Sequence, residues 1–148
     1  MLSIPTGATA SFAFAVSDDM TVDFEELGKG HPVYATYWMA KHFELVGRKL
    51  LVPHLGPGEE AIGYGVSVRH LRPAVPGTRL RVTGVLDRVE GNRVYTNCSV
   101  DDQWGDRIGE GETIQVVLPE VDIIARFARQ RDRLAEQPER AAHREEQS

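Results

Sequence analysis

The chain has 148 residues and a formal net charge of -5, a length that suits one domain with a single core and a charge that argues against a nucleic-acid partner, which normally needs a basic face. Hydrophobic residues make up 41% and charged residues 26%, the profile of an ordinary globular protein, and no stretch approaches the roughly 20 apolar residues of a membrane span. Cys98 is the lone cysteine, which excludes an intramolecular disulfide, and Met1-Leu2-Ser3-Ile4-Pro5 lacks the pattern of a signal peptide; a cytoplasmic protein is expected.

Residues 10–16, Ala-Ser-Phe-Ala-Phe-Ala-Val, predict a first strand. Residues 17–31 are polar and glycine-containing and predict a loop with at most a short helical turn. From residue 35 to about 52 the spacing turns helical: Met39, Phe43, Val46 and Leu50 form one apolar stripe. Pro53 and Gly56-Pro57-Gly58 end that helix. Alternation then predicts strands through Val66-Ser67-Val68-Arg69-His70, over residues 78–89, over 93–100 and over 107–118, with Glu90-Gly91-Asn92 as a hairpin turn.

A second helix is predicted from Pro119 to about Ala135. Residues 1–135 read as one domain, and 136–148 as a charged, proline-interrupted tail expected to be disordered. One long helix and a run of strands joined by short turns give an α+β fold, because only the helix is available to cover the apolar face of an antiparallel sheet.

Three motifs follow one another at fixed spacing: Thr36-Tyr37-Trp38-Met39-Ala40-Lys41-His42-Phe43-Glu44, then Leu55-Gly56-Pro57-Gly58-Glu59, then Gly63-Tyr64-Gly65-Val66-Ser67-Val68-Arg69-His70. This block resembles the fluoroacetyl-CoA thioesterase-like branch of the hotdog superfamily, and the resemblance extends over most of residues 10–118. It implies a hotdog fold: a curved antiparallel sheet of about five strands wrapped around one long central helix, with a C-terminal helix beyond. It also implies Thr36, Glu44 and His70 as the catalytic set, and Gly63, Val33 and Tyr64 as substrate-binding positions. The implied reaction is hydrolysis of a short or medium acyl-CoA to acid and free CoA, with no cofactor and no metal.

The residue types fit that chemistry. Thioester hydrolysis needs a nucleophile or an oriented water, a base, and donors aimed at the developing oxyanion. Thr36 can attack or orient water, Glu44 can act as general base, and His70 can shuttle the proton. Eight residues of continuous helix, however, separate Thr36 and Glu44 by roughly 12 Å along the axis and about 80° around it. For the two to meet directly, Thr36 has to lie at or before the helix start; otherwise His70 or a partner subunit has to bridge them.

Each residue also has an ordinary reading. Thr36 can be a helix cap, Glu44 and Arg48 an i, i+4 pair, His70 a half-buried strand residue, and Gly63 a bulge. His42, beside Lys41, reads as solvent-facing, and Cys98 as a small buried residue. Trp38 and Trp104 read as packing residues.

The chain departs from the branch in two places. The segment before Thr36, Leu27-Gly28-Lys29-Gly30-His31-Pro32-Val33, has no phenylalanine where the fluoroacetyl-specific relatives have an aromatic-rich lid. Thr113-Ile114-Gln115 stands where relatives tend to have His-x-Arg. A different acyl group and a more open entrance are therefore expected.

A non-catalytic acyl-CoA or lipid-binding hotdog module is the alternative that these departures favour. A hydratase is disfavoured because Gly30-His31-Pro32 lacks the Asp and Asn of that loop type. Exposed sheet edges lead to the expectation of a homodimer, with pairing into tetramers left open.

Overall fold

A computed structural model describes residues 3–136. The stripe predicted on the long helix, α1 (Thr36–Leu51), is buried at Met39, Phe43, Val46 and Leu50. Against it lies a five-stranded antiparallel sheet built from β1 (Thr9–Ala15), β4 (Glu59–His70), β5 (Arg79–Glu90), β6 (Arg93–Asp102) and β7 (Arg107–Pro119), in the order β1-β5-β6-β7-β4. Every strand of this sheet contacts α1. The sheet curls around the helix, as the resemblance implies. α2 (Glu120–Glu136) follows β7 directly, its first amide bonded to the Gly58 carbonyl at 2.8 Å.

Two glycines on β7 leave room for the helix and the neighbouring strand to pack against it. A Cβ added to Gly109 would collide with the Met39 sulfur. One added to Gly111 would collide with the Ser67 backbone and stand 3.2 Å from the Phe43 ring. Val82, Val100, Leu80 and Ile108 fill the core on the other side of the stripe.

Four expectations change. Residues 17–31 are not a loop: after a short 3-10 turn (Asp18–Met20), β2 (Thr21–Phe24) and β3 (Gly28–Tyr34) form a hairpin that stands apart from the main sheet. His42 is not solvent-facing but 6% exposed. The buried face of α1 is wider than a four-residue stripe, taking in His42, Gly47 and Leu51 as well, which is the breadth of a core-facing helix. Trp104 does not pack but lies exposed in the β6–β7 turn, whereas Trp38 packs against the core. Residues 137–148, and with them nearly all of the tail expected to be disordered, lie outside the described residues.

His42 sits among the rings of Phe12, Phe14 and Trp38, and its Nδ1 is 2.5 Å from the Tyr34 hydroxyl. Burial first, and the charge of Lys41 second, push its pKa from 6.5 down to about 4. The folded chain thus keeps His42 neutral where the unfolded chain already takes up a proton. The resulting stabilisation is complete above pH 6.5 and fades as the pH falls toward 4. The melting temperature should therefore drop on going from pH 7 to pH 5, and drop less in His42→Gln; an equal drop in both proteins would contradict this.

Candidate active site

Residues 63 and 70 are an odd number of positions apart, so an unbroken strand would send them to opposite faces. The strand β4 is broken once. Gly63 pairs with Gln115 and Gly65 with Ile114, leaving Tyr64 as an extra, bulged residue. Past the bulge, Val66 pairs with Thr113, Val68 with Gly111 and His70 with Gly109. These β7 partners face α1, so Gly63 and His70 both end up on the helix side.

At one end of this face, Thr36 Oγ1 lies 3.0 Å from His70 Nδ1. Thr36 is the first residue of α1. The cap position belongs to Ala35, which has extended backbone and no capping side chain, so the Thr36 hydroxyl is free to serve His70. No acidic residue occupies the first turn, which leaves the positive end of the helix dipole uncompensated beside Thr36. Burial holds the His70 pKa below its ordinary value, partly opposed by the neighbouring Arg72 backbone. The ring is therefore neutral near pH 7 and able to accept a proton. Its Nε2 is buried with no hydrogen-bond partner among the described residues.

At the other end, Glu44 faces Gly63: a Cβ placed on that glycine would lie 3.6 Å from Glu44 Oε1. Thr36 and Glu44 do not meet within one chain. Thr36 lies at the helix start, but two turns still separate the carboxylate from it. The i, i+4 pairing of Glu44 with Arg48 does not form either. Arg48 instead bonds Glu60 Oε1 at 3.0 Å and the Ala61 carbonyl at 3.2 Å.

Glu44, Arg48, Gly63, Gly65, Thr113, Ile114 and Gln115 enclose a cavity of about 120 Å³ beside the edge strand. Ladder bonding fixes which way Gly63 points. The Glu120 amide bonds Gly58, and the Val117 amide turns away to Asn92. Alternate residues of β4 therefore face the free edge, among them Ala61 and Gly63. The Gly63 N–H is thus directed outward at the open edge, where an oxyanion can approach it.

The remaining expected positions sit elsewhere. Tyr64 is 60% exposed and stacks under the Arg93 guanidinium, 4.4 Å from its ring centre. That places it on the face away from α1. Val33 is half-buried on β3 and lines no part of the cavity.

Two residues without a motif signal, Tyr37 and Phe24, fasten the β2–β3 hairpin beside Thr36. The Tyr37 hydroxyl accepts a bond from the Asp23 amide at 2.7 Å and donates to the Asp23 carbonyl at 3.0 Å, tying the β2–β3 hairpin to the first helical turn. Phe24 packs against the Tyr37 ring with centroids 5.6 Å apart. Neither is detectable from spacing alone, because the hairpin itself has no strong alternation. Among the described residues, no group of three or more His, Cys, Asp or Glu is placed to hold a metal ion. No described helix is long and apolar enough to cross a membrane.

Known proteins share this fold. The structure of a thioesterase superfamily member from Thermus thermophilus is 50% identical, with a TM-score of 0.90, covering 93% of this chain and 100% of that one. A mutant of the fluoroacetyl-CoA-specific thioesterase FlK is 27% identical with a TM-score of 0.76, covering 86% and 98%. The fluoroacetyl-CoA thioesterase of Streptantibioticus cattleyicolor is 34% identical over 86 residues, a match spanning 58% of this chain and 61% of that protein. The family described as fluoroacetyl-CoA-specific thioesterase matches residues 16–121, and with the hotdog architecture in place the chain belongs to that family.

Proposed function

We propose that the protein is a cytoplasmic acyl-CoA thioesterase, working as a homodimer, that hydrolyses a short or medium acyl-CoA to the free acid and CoA. The observation that carries this reading is the 3.0 Å hydrogen bond between Thr36 and a neutral His70 at the uncapped start of α1. A pure binding module has no use for a hydroxyl–imidazole pair held this way.

In this reading Thr36 Oγ1 attacks the thioester carbon as its proton passes to His70 Nδ1. The resulting oxyanion rests on a Gly63 N–H. The C–S bond then breaks, and the thiolate takes the proton from His70 as it leaves. A water oriented by Glu44 hydrolyses the acyl-threonine, releasing the acid and restoring the hydroxyl.

Because Thr36 and Glu44 stand apart within one chain, a second copy has to complete the site. Arg48 covers the edge-facing carbonyl of Ala61, and Lys49 bonds the Ser11 carbonyl on β1, the other edge strand. The exposed groups of β4 are thus left around Val66 and Val68. Pairing Val66 with the partner's Val66 or Val68 puts His70 opposite the partner's Ile62 or Tyr64, on either side of the partner's Gly63.

Three outcomes follow. With a panel of acyl-CoAs and a thiol-reactive dye, His70→Ala, Thr36→Ala and Glu44→Gln should each lower kcat by about 10²–10⁴-fold with little change in melting temperature; unchanged rates would remove these roles. The acid limb of kcat/KM should have its midpoint below 6.5, since His70 must be neutral and burial lowers its pKa; a midpoint above 6.5 would exclude it as the base. Light scattering should show a dimer at micromolar concentration, and Val66→Pro, which obstructs edge pairing, should yield inactive monomer; an active monomer would contradict the composite site.

A further inference from the structure

The floor of the cavity beside Glu44 is polar and unsatisfied. Thr113 is 2% exposed and Gln115 6% exposed, and both line the cavity. Neither Thr113 Oγ1 nor Gln115 Nε2 has a hydrogen-bond partner among the described residues. They occupy successive inward positions of β7, opposite Val66 and Gly63. Above them lies Gly47 of α1, where a Cβ would collide with Thr113 Oγ1 and stand 3.2 Å from Gln115 Nε2. Any larger residue at 47 would cover this floor. Thr96, across the ladder from Thr113, has a second unpartnered hydroxyl but does not line the cavity.

A volume of about 120 Å³ matches roughly four water molecules. With its carbonyl at the Gly63 edge, a thioester would direct its first few acyl atoms onto Gln115 and Thr113. A saturated chain would displace water and leave both donors buried and unpaired, which a site built for hydrogen bonding penalises. An acyl oxygen would pair with them. A carboxylated acyl group is disfavoured, because Glu44 lines the same space while Arg48 is engaged by Glu60.

We infer that this cavity is the acyl subsite and that Gln115 and Thr113 select a short acyl group bearing a neutral oxygen, a hydroxyl or oxo substituent, over the saturated group of equal length. The inference rests on the thioesterase reading for the nature of its ligand.

The test uses the full chain and two non-hydrolysable ketones in which a methylene replaces the thioester sulfur, one the analogue of 3-hydroxybutyryl-CoA and one of butyryl-CoA. By calorimetry the hydroxylated analogue should bind about tenfold more tightly. Gln115→Leu and, separately, Thr113→Val should shrink that ratio, with circular dichroism confirming that each variant is folded. Equal affinities in the wild-type protein, a preference for the saturated analogue, a ratio unchanged in the folded variants, or no binding of either analogue would each overturn the inference. Thiol release from butyryl-CoA and 3-hydroxybutyryl-CoA is measured in parallel. A binding preference without any thiol release would remove the thioesterase reading and leave the subsite standing.

Discussion

A single extra residue in β4 sets the geometry of everything chemical in this protein. Without the bulge at Tyr64, the strand's two-residue period would turn either Gly63 or His70 away from α1. With it, a glycine that exposes its backbone and a histidine that can accept a proton line the same groove. The glycines on β7 act in concert with the bulge. Gly109 and Gly111 let α1 settle onto the sheet, and that settling brings Thr36 within hydrogen-bond reach of His70. The reacting pair is therefore a product of backbone packing rather than of any strong local interaction.

The electrostatics suit the same end. The Thr36 hydroxyl sits at the positive end of a helix whose first turn contains no acidic residue, and its imidazole partner is kept neutral by burial. Glu44 and Gly63 form a second cluster along the edge strand. The outward-facing N–H of Gly63 gives that cluster something to offer only to a molecule approaching from the open side of the sheet. In the proposed dimer, pairing along β4 would join the two clusters and make catalysis and assembly depend on the same edge.

Much of this is legible in the sequence. Apolar spacing locates α1 and four strands of the main sheet to within a few residues, because burial on one face imposes a periodicity, but it finds only the second half of β4, where the bulge at Tyr64 breaks the alternation. The resemblance carried by the block from Thr36 through His70 implies the four residues that form two facing pairs, Thr36 with His70 and Glu44 with Gly63. What was hidden depends on three-dimensional context. The hairpin of β2 and β3 stands apart from the main sheet and fully buries only Tyr34 at its end, too little to imprint a pattern on its residues. His42 looked polar beside Lys41, yet its ring is a flat aromatic surface that fits among Phe12, Phe14 and Trp38. Arg48 was within reach of Glu44 along the helix but found Glu60 on the neighbouring strand, a contact that no helical rule anticipates. Glu59, part of the turn motif, is structural: its carboxylate accepts the Gly56 amide at 2.7 Å and closes the link from α1 to β4.

The central claim is that Thr36 and His70 of one subunit act on a carbonyl held by Gly63 at the β4 edge of the other. A crystal structure with a non-hydrolysable ketone analogue of an acyl-CoA would test it most directly. The ketone oxygen should lie within hydrogen-bond distance of the Gly63 N–H, with the carbonyl carbon beside Thr36 Oγ1 of the partner subunit. A carbonyl bound away from both groups, or next to Thr36 and Gly63 of the same chain, would contradict the account.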